Sequence, residues 1–149
     1  INFKRLSMFV QKLPERIKGK ISLLQKAVGS HEGKLRFTSS GTDGSKFSRN
    51  GNIEVDSVIL NNILNNLAPT FIKMDIEGAE FDALLGARDV IVQSKPILAI
   101  CVYHKQDHLW QIPKLIESFS DQYQLFLRPH DDEGWEVVCY AIPAQRMKN

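Results

Sequence analysis

The sequence has no apolar run that could cross a membrane, no run of basic residues and only two cysteines. Its apolar stretches are interrupted by charged residues and fall short of the roughly 20 residues that a membrane helix needs. The amino end has no apolar core of the kind found in secretion signals. A net charge of +2 is too small for a nucleic-acid-binding surface. We therefore expect neither a membrane nor a nucleic acid as a partner.

The two cysteines, Cys101 and Cys139, lie inside the apolar runs ILAICVY and EVVCYAI. Free cysteine in such a run behaves as a small buried hydrophobic residue. Nothing else in the sequence is typical of a secreted protein, so we expect two free thiols rather than a disulfide. This pattern favours a cytoplasmic location.

The length of 149 residues suits one domain with one core, so we treat residues 1–149 as a single domain. The chain opens on Ile1 rather than Met, and residues 3–13 already have the apolar spacing of a helix. We therefore expect that a further segment precedes Ile1 in the parent protein.

Periodicity and turn residues predict the elements of the amino-terminal half. They are a helix at 3–13 ended by Pro14, a strand at 20–28, an edge strand at 34–37 and a helix at 57–66. Residues 39–52 are rich in Ser, Gly, Asn and Asp, which predicts a flexible loop. This loop is either a lid or a plain surface connection.

The carboxyl-terminal half alternates strands with helices. The predicted elements are a strand at 70–76, a helix at 80–94 with a break near Gly86, a strand at 96–103, a helix at 107–119 and strands at 123–128 and 135–142. The strand at 96–103 is apolar on both faces, as in a central parallel strand. The turn at 131–134 makes the last two strands antiparallel. We predict an α/β fold whose sheet is mostly parallel and ends in an antiparallel hairpin.

The most informative segment places an apolar strand directly before Asp75, Glu77 and Glu80, with Gly78 among them. Ligands of open α/β sheets bind beyond the carboxyl ends of the strands, where Asp75 is expected. Glycine at 78 allows a sharp turn or a close ligand. Glu77 and Glu80 are either part of this site or simply acids in the first turn of a helix.

The run Phe71-Ile72-Lys73-Met74-Asp75-Ile76-Glu77-Gly78-Ala79-Glu80 resembles the central signature of the FkbM family of methyltransferases. Ala83-Leu84-Leu85-Gly86-Ala87, Pro96 before a strand, Ala27-Val28-Gly29 and the closing Tyr140-Ala141-Ile142-Pro143 agree with it. The resemblance covers about residues 20–143. Asn61 after Leu60, and Tyr103-His104 where many members have a glutamate, depart from the family pattern.

The resemblance implies part of a class I methyltransferase fold, Rossmann-like, that uses S-adenosyl-L-methionine to methylate a hydroxyl of a sugar, polyketide or related metabolite. It implies cofactor contacts by Lys26 and Ala27, through their backbone, and by Asp75 and Glu77. The glycine-rich loop and the ribose-binding acid of such folds are not found in this sequence. We therefore expect these 149 residues alone to bind the cofactor weakly or not at all.

His104 is expected at the same sheet edge as Asp75, where an imidazole could act as a general base for the acceptor hydroxyl. It could equally be a hydrogen-bonding surface residue. Asp75 with His104 or His108 also has the chemistry of a divalent metal site, but we assign no metal. We place His130 in an exposed turn. The three aromatics Tyr103, Trp110 and Trp135 either line a substrate pocket or fill the core, and we favour the core.

Two main hypotheses of different classes follow from these residues, and a third, weaker one is a different Rossmann-type nucleotide-binding protein. In the first, the intact protein is a methyltransferase with Asp75 and His104 as catalytic residues and a small hydroxyl-bearing substrate. In the second, the chain is a non-catalytic, truncated or partner-binding module. An exposed sheet edge would suit pairing with another copy of the chain in either case.

Overall fold

The computed structural model describes residues 2–38, 46–47, 51, 53–133 and 135–147. Within these residues the helices are α1 (Asn2–Gln11), α2 (Glu15–Lys18), α3 (Leu60–Leu64), α4 (Glu80–Leu85), α5 (Arg88–Ser94) and α6 (His108–Phe119). The strands are β1 (Ala27–Val28), β2 (Gly33–Thr38), β3 (Lys46–Phe47), β4 (Ile53–Val58), β5 (Phe71–Met74), β6 (Ile97–Cys101), β7 (Tyr123–Arg128) and β8 (Val138–Pro143). A short 3-10 helix, Ala144–Arg146, follows β8.

The described strands form two mixed sheets, with the orders β1-β4-β2-β3 and β5-β6-β8-β7. Only the pairs β1–β4 and β5–β6 are parallel, and the other four pairs are antiparallel. The α/β class is confirmed, but the prediction of one mostly parallel sheet is wrong. The physical reason is the pairing of β8: this strand inserts between β6 and β7 and so replaces a parallel neighbour of β6 with an antiparallel one.

The amino-terminal elements differ most from the sequence prediction. Of the strand predicted at 20–28, only Ala27–Val28 pairs, and residues 57–58 of the predicted helix belong to strand β4. Strand β2 is not an edge strand along its whole length, because it pairs with β4 on one side and with β3 at Phe37 and Thr38. Short segments that lie outside a large core have weak periodicity, so their neighbours decide their structure.

Of two further amino-terminal predictions, the helix is confirmed and the loop lies mostly outside the described residues. The predicted helix at 3–13 is confirmed as α1, and Pro14 then begins α2 as its N-terminal cap residue. The lid or surface loop predicted at 39–52 lies mostly outside the described residues. Within that range the structure describes only residues 46–47, which form β3, and residue 51.

The carboxyl-terminal half follows the prediction closely. The break near Gly86 is confirmed, because α4 ends at Leu85 and α5 begins at Arg88. Strand β6 is buried along nearly its whole length and lies between β5 and β8, which confirms its central place. The antiparallel pairing of β7 with β8 is also confirmed. No helix of the described residues is long and apolar enough to span a membrane.

The main core lies between one face of the second sheet and the three helices α4, α5 and α6. Its largest fully buried aliphatic side chains are Leu84, Ile91, Leu98, Ile100, Ile112 and Ile116. Each such side chain contributes about 1.5–3 kcal/mol through burial. Since alternate residues of a strand face opposite sides, Ala99 and Cys101 of β6 join Val138 of β8 in a second, smaller cluster. The main core therefore holds the carboxyl ends of β5 and β6 in place.

Gly86, at the end of α4, lies against the loop that follows β1. A Cβ atom at this position would lie 2.1 Å from the carbonyl oxygen of Gly29, far inside contact distance. The backbone N–H of Asn61 donates to the carbonyl oxygen of Gly86 at 2.9 Å. This close approach packs the α4–α5 junction against the first sheet.

Candidate functional site

Asp75 follows the last residue of β5, and its side chain is half-exposed. Its Oδ1 accepts a hydrogen bond from the Tyr103 hydroxyl at 3.2 Å, and its Oδ2 accepts one from Lys73 Nζ at 3.2 Å. Partial burial raises the pKa of Asp75, but the Lys73 ammonium and the Cys101 and Tyr103 donors outweigh this effect and hold the pKa below its ordinary value. Asp75 is therefore an ionised acceptor near neutral pH.

His104 lies three residues after the end of β6, on the same sheet edge as Asp75. Its Nε2 atom is 3.4 Å from Asp75 Oδ1 and 3.9 Å from Glu77 Oε2. Parallel pairing of β5 with β6 causes this proximity, because the carboxyl ends of parallel neighbours meet at one edge. The structure thus brings together three of the predicted site residues. Among the described strands, β5 lies at the edge of its sheet.

The turn between β5 and α4 directs these carboxylates. Glu77 and Gly78 have φ angles of +56° and +94°, so both lie in the region that ordinarily favours glycine. A non-glycine residue in this conformation stores strain, and such strain is found at functional sites when the surrounding structure imposes it. The unusual backbone places the Glu77 carboxylate beside the His104 ring.

Glu80 is fully buried at the start of α4, and sequence reasoning left its role open. Its Oε1 accepts a hydrogen bond from the Ile76 N–H at 2.9 Å and lies 2.8 Å from His104 Nδ1. Its Oε2 lies 3.4 Å from the Nδ1 atom of His108, which is also buried. We did not predict this arrangement. The signal for it was the spacing of Glu77 and Glu80 around Gly78, together with two histidines four residues apart.

A hollow of about 270 Å³ opens on the other side of Asp75, over the face of the second sheet that bears the smaller cluster. Its lining includes Phe71, Lys73, Asp75, Cys101, Tyr103 and Tyr140. His130 also lines it, is exposed as predicted, and lies 3.0 Å from the Tyr140 hydroxyl through its Nε2 atom. The hollow combines aromatic walls with two carboxylates, those of Asp75 and Glu136, and the ammonium group of Lys73.

The aromatic residues predicted for the core are instead exposed. Tyr103 is 40% exposed, Trp110 49% and Trp135 67%, so the core prediction is wrong for all three. Helix α6 places Trp110 on its outer side. Tyr103 follows the end of β6, and Trp135 precedes the start of β8. Large aromatic residues at such positions contact solvent because no element lies over them in the described part of the chain.

Two proton donors next to Asp75 stay protonated near neutral pH. Burial and the nearby Asp75 carboxylate raise the pKa of the Cys101 thiol to about 11 and that of the Tyr103 hydroxyl to about 12. Burial also raises the pKa of Cys139 to about 11. Both cysteines are free and buried, as expected. Tyr103 therefore donates to Asp75, and neither Tyr103 nor Cys101 competes with it for protons.

Of the other two predicted cofactor residues, Ala27 begins β1 of the first sheet and Lys26 directly precedes it. The Nζ atom of Lys26 contacts Asp56 Oδ2 at 2.6 Å, and Ala27 pairs with Ser57. Asp75, Glu77 and His104 lie at the carboxyl edge of the second sheet. Among the described residues, no group of three or more His, Cys, Asp or Glu side chains is arranged to hold a metal ion.

A profile of the FkbM methyltransferase domain matches residues 12–132 of the chain. The chain is also similar to a solved structure, the methyltransferase FkbM from Methylobacillus flagellatus KT, with 29% sequence identity and a TM-score of 0.75. That similarity covers 94% of this chain and 33% of the other, so the chain spans about a third of that protein's length. No protein of curated function matches the chain.

Proposed function

The chain belongs to the FkbM methyltransferase family, and from this premise we propose that it carries the acceptor-activating part of an S-adenosyl-L-methionine-dependent O-methyltransferase. The acceptor is a hydroxyl group of a sugar, polyketide or related small metabolite. The observation that supports this proposal is the pair Asp75 and His104, whose side chains meet at the carboxyl edge of β5 and β6. Ligands of open α/β sheets bind at this edge.

His104 is the general base of the proposal. An acceptor hydroxyl loses its proton as its oxygen gains the methyl group, so a base within hydrogen-bond reach of that oxygen assists the reaction. Nε2 of His104 faces the open edge beside Asp75 and Glu77. These two carboxylates stabilise the imidazolium that forms when Nε2 takes the proton. Asp75 also orients the acceptor, since its oxygens are partly exposed.

The two carboxylates at this edge suit a positively charged cofactor. S-adenosyl-L-methionine supplies an electrophilic methyl group on a positively charged sulfur. Asp75 and Glu77 are half-exposed carboxylates, and their negative charge suits the sulfonium and amino groups. Lys26 and Ala27 would contribute backbone contacts to the adenine. Because the Lys26 side chain is engaged by Asp56, its backbone is the part that remains for this role.

The hollow next to Asp75 is the proposed place for the body of the acceptor; His104 does not line it, so the reacting hydroxyl would extend past Asp75 to Nε2 of His104. Aromatic walls from Phe71, Tyr103 and Tyr140 suit the apolar faces of a ring or a polyketide chain. Asp75 and Lys73 provide polar contacts that select hydroxyl-bearing molecules. A location in the cytoplasm is part of the same proposal, and the two free buried thiols support it.

The proposal is tested by measuring transfer of isotopically labelled methyl from S-adenosyl-L-methionine to a panel of sugars and polyketide alcohols, using the full-length protein that contains this chain. We expect His104→Ala to lower kcat by about a hundredfold or more, since general bases contribute about 10²–10⁴-fold. We expect Asp75→Asn to reduce kcat/KM, because it removes the negative charge that stabilises the His104 imidazolium.

His31→Ala and Asp121→Asn are matched controls, because both residues are exposed and lie away from the carboxyl edge of β5 and β6. Each should retain the activity of the wild-type protein. Unchanged turnover in His104→Ala would contradict the proposed base. Absence of transfer to every acceptor by a protein that binds the cofactor would contradict O-methylation.

A non-catalytic, partner-binding role is the alternative, and one observation favours it. Strand β5 has an unpaired edge among the described strands, and its Phe71 is 55% exposed. Exposed edges of this kind pair with other chains. Light scattering across a concentration series would detect a homo-oligomer, and Phe71→Lys should disrupt a dimer that forms through this edge. A monomer at all concentrations would argue against self-association.

A further inference from the structure

Glu80 is a carboxylate that the general-base proposal does not use, although it is the most deeply buried acid at the site, with 0% of its surface exposed. A buried carboxylate is costly unless hydrogen bonds and opposite charges compensate it. The Ile76 N–H donates one such hydrogen bond to Oε1. An uncharged side chain could satisfy that single N–H, so the backbone contact alone does not explain a charged group here.

Two histidine side chains face the remaining acceptor positions of Glu80. Nδ1 of His104 lies 2.8 Å from Oε1, and Nδ1 of His108 lies 3.4 Å from Oε2. Neither of the two Nδ1 atoms nor Oε2 makes a hydrogen bond among the described residues, because the contacts at 2.8 and 3.4 Å do not have hydrogen-bond geometry. In the described part of the chain, the electrostatic attraction among these three atoms is therefore what offsets the cost of burying them.

The arrangement determines where the ring of His104 carries its proton. An ionised carboxylate accepts hydrogen bonds and cannot donate them. Glu80 therefore favours the tautomer of neutral His104 with hydrogen on Nδ1, and this leaves a free lone pair on Nε2. Nε2 is the atom that lies beside Asp75 and Glu77 at the open edge. Each tautomer aims one lone pair at a carboxylate, but the Glu80 contact at 2.8 Å is shorter and fully buried, whereas Asp75 and Glu77 lie 3.4 and 3.9 Å from Nε2 and are half-exposed, so water screens their repulsion more.

Further contacts restrict the same ring. The Tyr103 ring lies against His104 with a centroid separation of 4.2 Å, and only 9% of the His104 side chain is exposed. His108 lies at the start of α6 and is 2% exposed. Burial lowers the pKa of His108 despite the Glu80 charge, so His108 is a neutral second donor near neutral pH. Lys105, Asp107 and His104 are the other titratable groups that act on His108.

We infer that Glu80 is a positioning residue, which acts through His104: together with His108 it holds the His104 imidazole as its Nδ1–H tautomer, with Nε2 free to take a proton at the edge of β5 and β6. This inference rests on the proposed function for its catalytic meaning. The tautomer itself is a property of the protein and is measured without substrate. A base oriented by a buried acid is a general arrangement in enzymes that activate hydroxyl groups.

The test is long-range ¹H–¹⁵N NMR of the histidine side chains, which separates protonated from unprotonated ring nitrogens. His104→Gln assigns the His104 signals. In the wild-type protein we expect hydrogen on Nδ1 of neutral His104 and none on Nε2. Hydrogen on Nε2 instead would overturn the inference whatever the variants show.

Glu80→Met removes both acceptor oxygens while keeping the length of the side chain. We expect it to change the His104 tautomer ratio about tenfold or more, since it removes the carboxylate that lies 2.8 Å from Nδ1 inside the core. Glu80→Gln keeps one acceptor oxygen, so one of the two histidines should retain its Nδ1 proton while the other changes. Asp82→Asn, an exposed acid in the same first turn, is the matched control and should change neither ring.

Backbone amide spectra establish that each variant is folded. A folded Glu80→Met protein with an unchanged His104 tautomer would overturn the inference. If Glu80→Met does not fold, the wild-type tautomer and Glu80→Gln still decide it. In the full-length enzyme, Glu80→Gln should lower kcat more than it changes KM. Normal turnover by His104→Ala would remove the proposed function while leaving the tautomer result valid, so the two failures are distinguishable.

Discussion

Replacing Gly86 by alanine tests how the two sheets are joined. The new Cβ atom would lie 2.1 Å from the Gly29 carbonyl oxygen, 3.1 Å from its carbonyl carbon and 3.5 Å from the Ser30 Cα. Carbon and oxygen atoms of close contacts are ordinarily about 3.3–3.6 Å apart. The obstacle is backbone, so it cannot be relieved by rotation of a side chain. Either α4 or the loop after β1 must move.

The expected magnitude combines two opposing effects. Gly86 has φ −70° and ψ −10°, which alanine adopts freely, so the backbone change alone would stabilise the protein by about 0.4–1 kcal/mol. Forcing an extra carbon into a packed contact typically costs about 1–3 kcal/mol. Because the overlap exceeds an ångström and involves backbone, we take the upper end of that cost. The net expectation is a loss of about 2 kcal/mol in the free energy of unfolding.

Urea unfolding followed by far-ultraviolet circular dichroism measures this loss. With a slope of about 2 kcal/mol per molar urea, a loss of about 2 kcal/mol lowers the midpoint by about 1 M. Gly19→Ala is the matched control. Gly19 ends α2 with φ −65° and ψ −9°, and a Cβ atom there would lie 3.5 Å from the Glu15 oxygen, an ordinary contact.

Gly19→Ala should therefore leave the stability unchanged or raise it by about 0.4–1 kcal/mol. The two variants share chemistry and backbone conformation and differ only in the space available to the new methyl group. If Gly86→Ala proves as stable as Gly19→Ala, the close approach of α4 to the loop after β1 is not present in solution, and the reasoning fails.

Two further predictions concern helix capping and thiol reactivity. Asn61→Ala should lower the free energy of unfolding by about 1 kcal/mol, because Asn61 Oδ1 accepts a hydrogen bond from the Val90 N–H at 3.1 Å near the start of α5. In urea unfolding, this variant should have a lower midpoint than Asn66→Ala, which changes an exposed control residue. Equal midpoints would contradict the capping role. Cys101 and Cys139 should react with iodoacetamide about a hundredfold more slowly in the folded protein than in urea, since their pKa values are raised from 9.0 to about 11 and the thiolate is the nucleophile. Mass spectrometry of timed samples would measure both rates, and equal rates in the two states would refute the prediction.

The carboxyl-terminal half was largely predictable from sequence because its signals are local. The apolar runs around Met74 and Leu98 are long enough to identify buried strands, and Gly86 interrupts a clear helical period. Parallel pairing of consecutive strands through one helical connection follows from general rules of chain topology. The meeting of Asp75 with His104 follows from that pairing, so it was accessible from sequence.

Strand order and the environment of Glu80 were decided only by the tertiary structure. Strand β8 follows β7 in the chain yet lies between β7 and β6, and no local pattern encodes which neighbour it takes. Glu80 reads in sequence as an ordinary acid of a first helical turn. It becomes the fully buried partner of His104 and His108 because α4 packs against α6, and burial is a property of packed elements rather than of residue type. The sequence by itself determined which residues reach the edge of the sheet, since strand ends and turns depend on near neighbours. Which of those residues are buried, and so which interact strongly, depended on contacts between elements far apart in the chain.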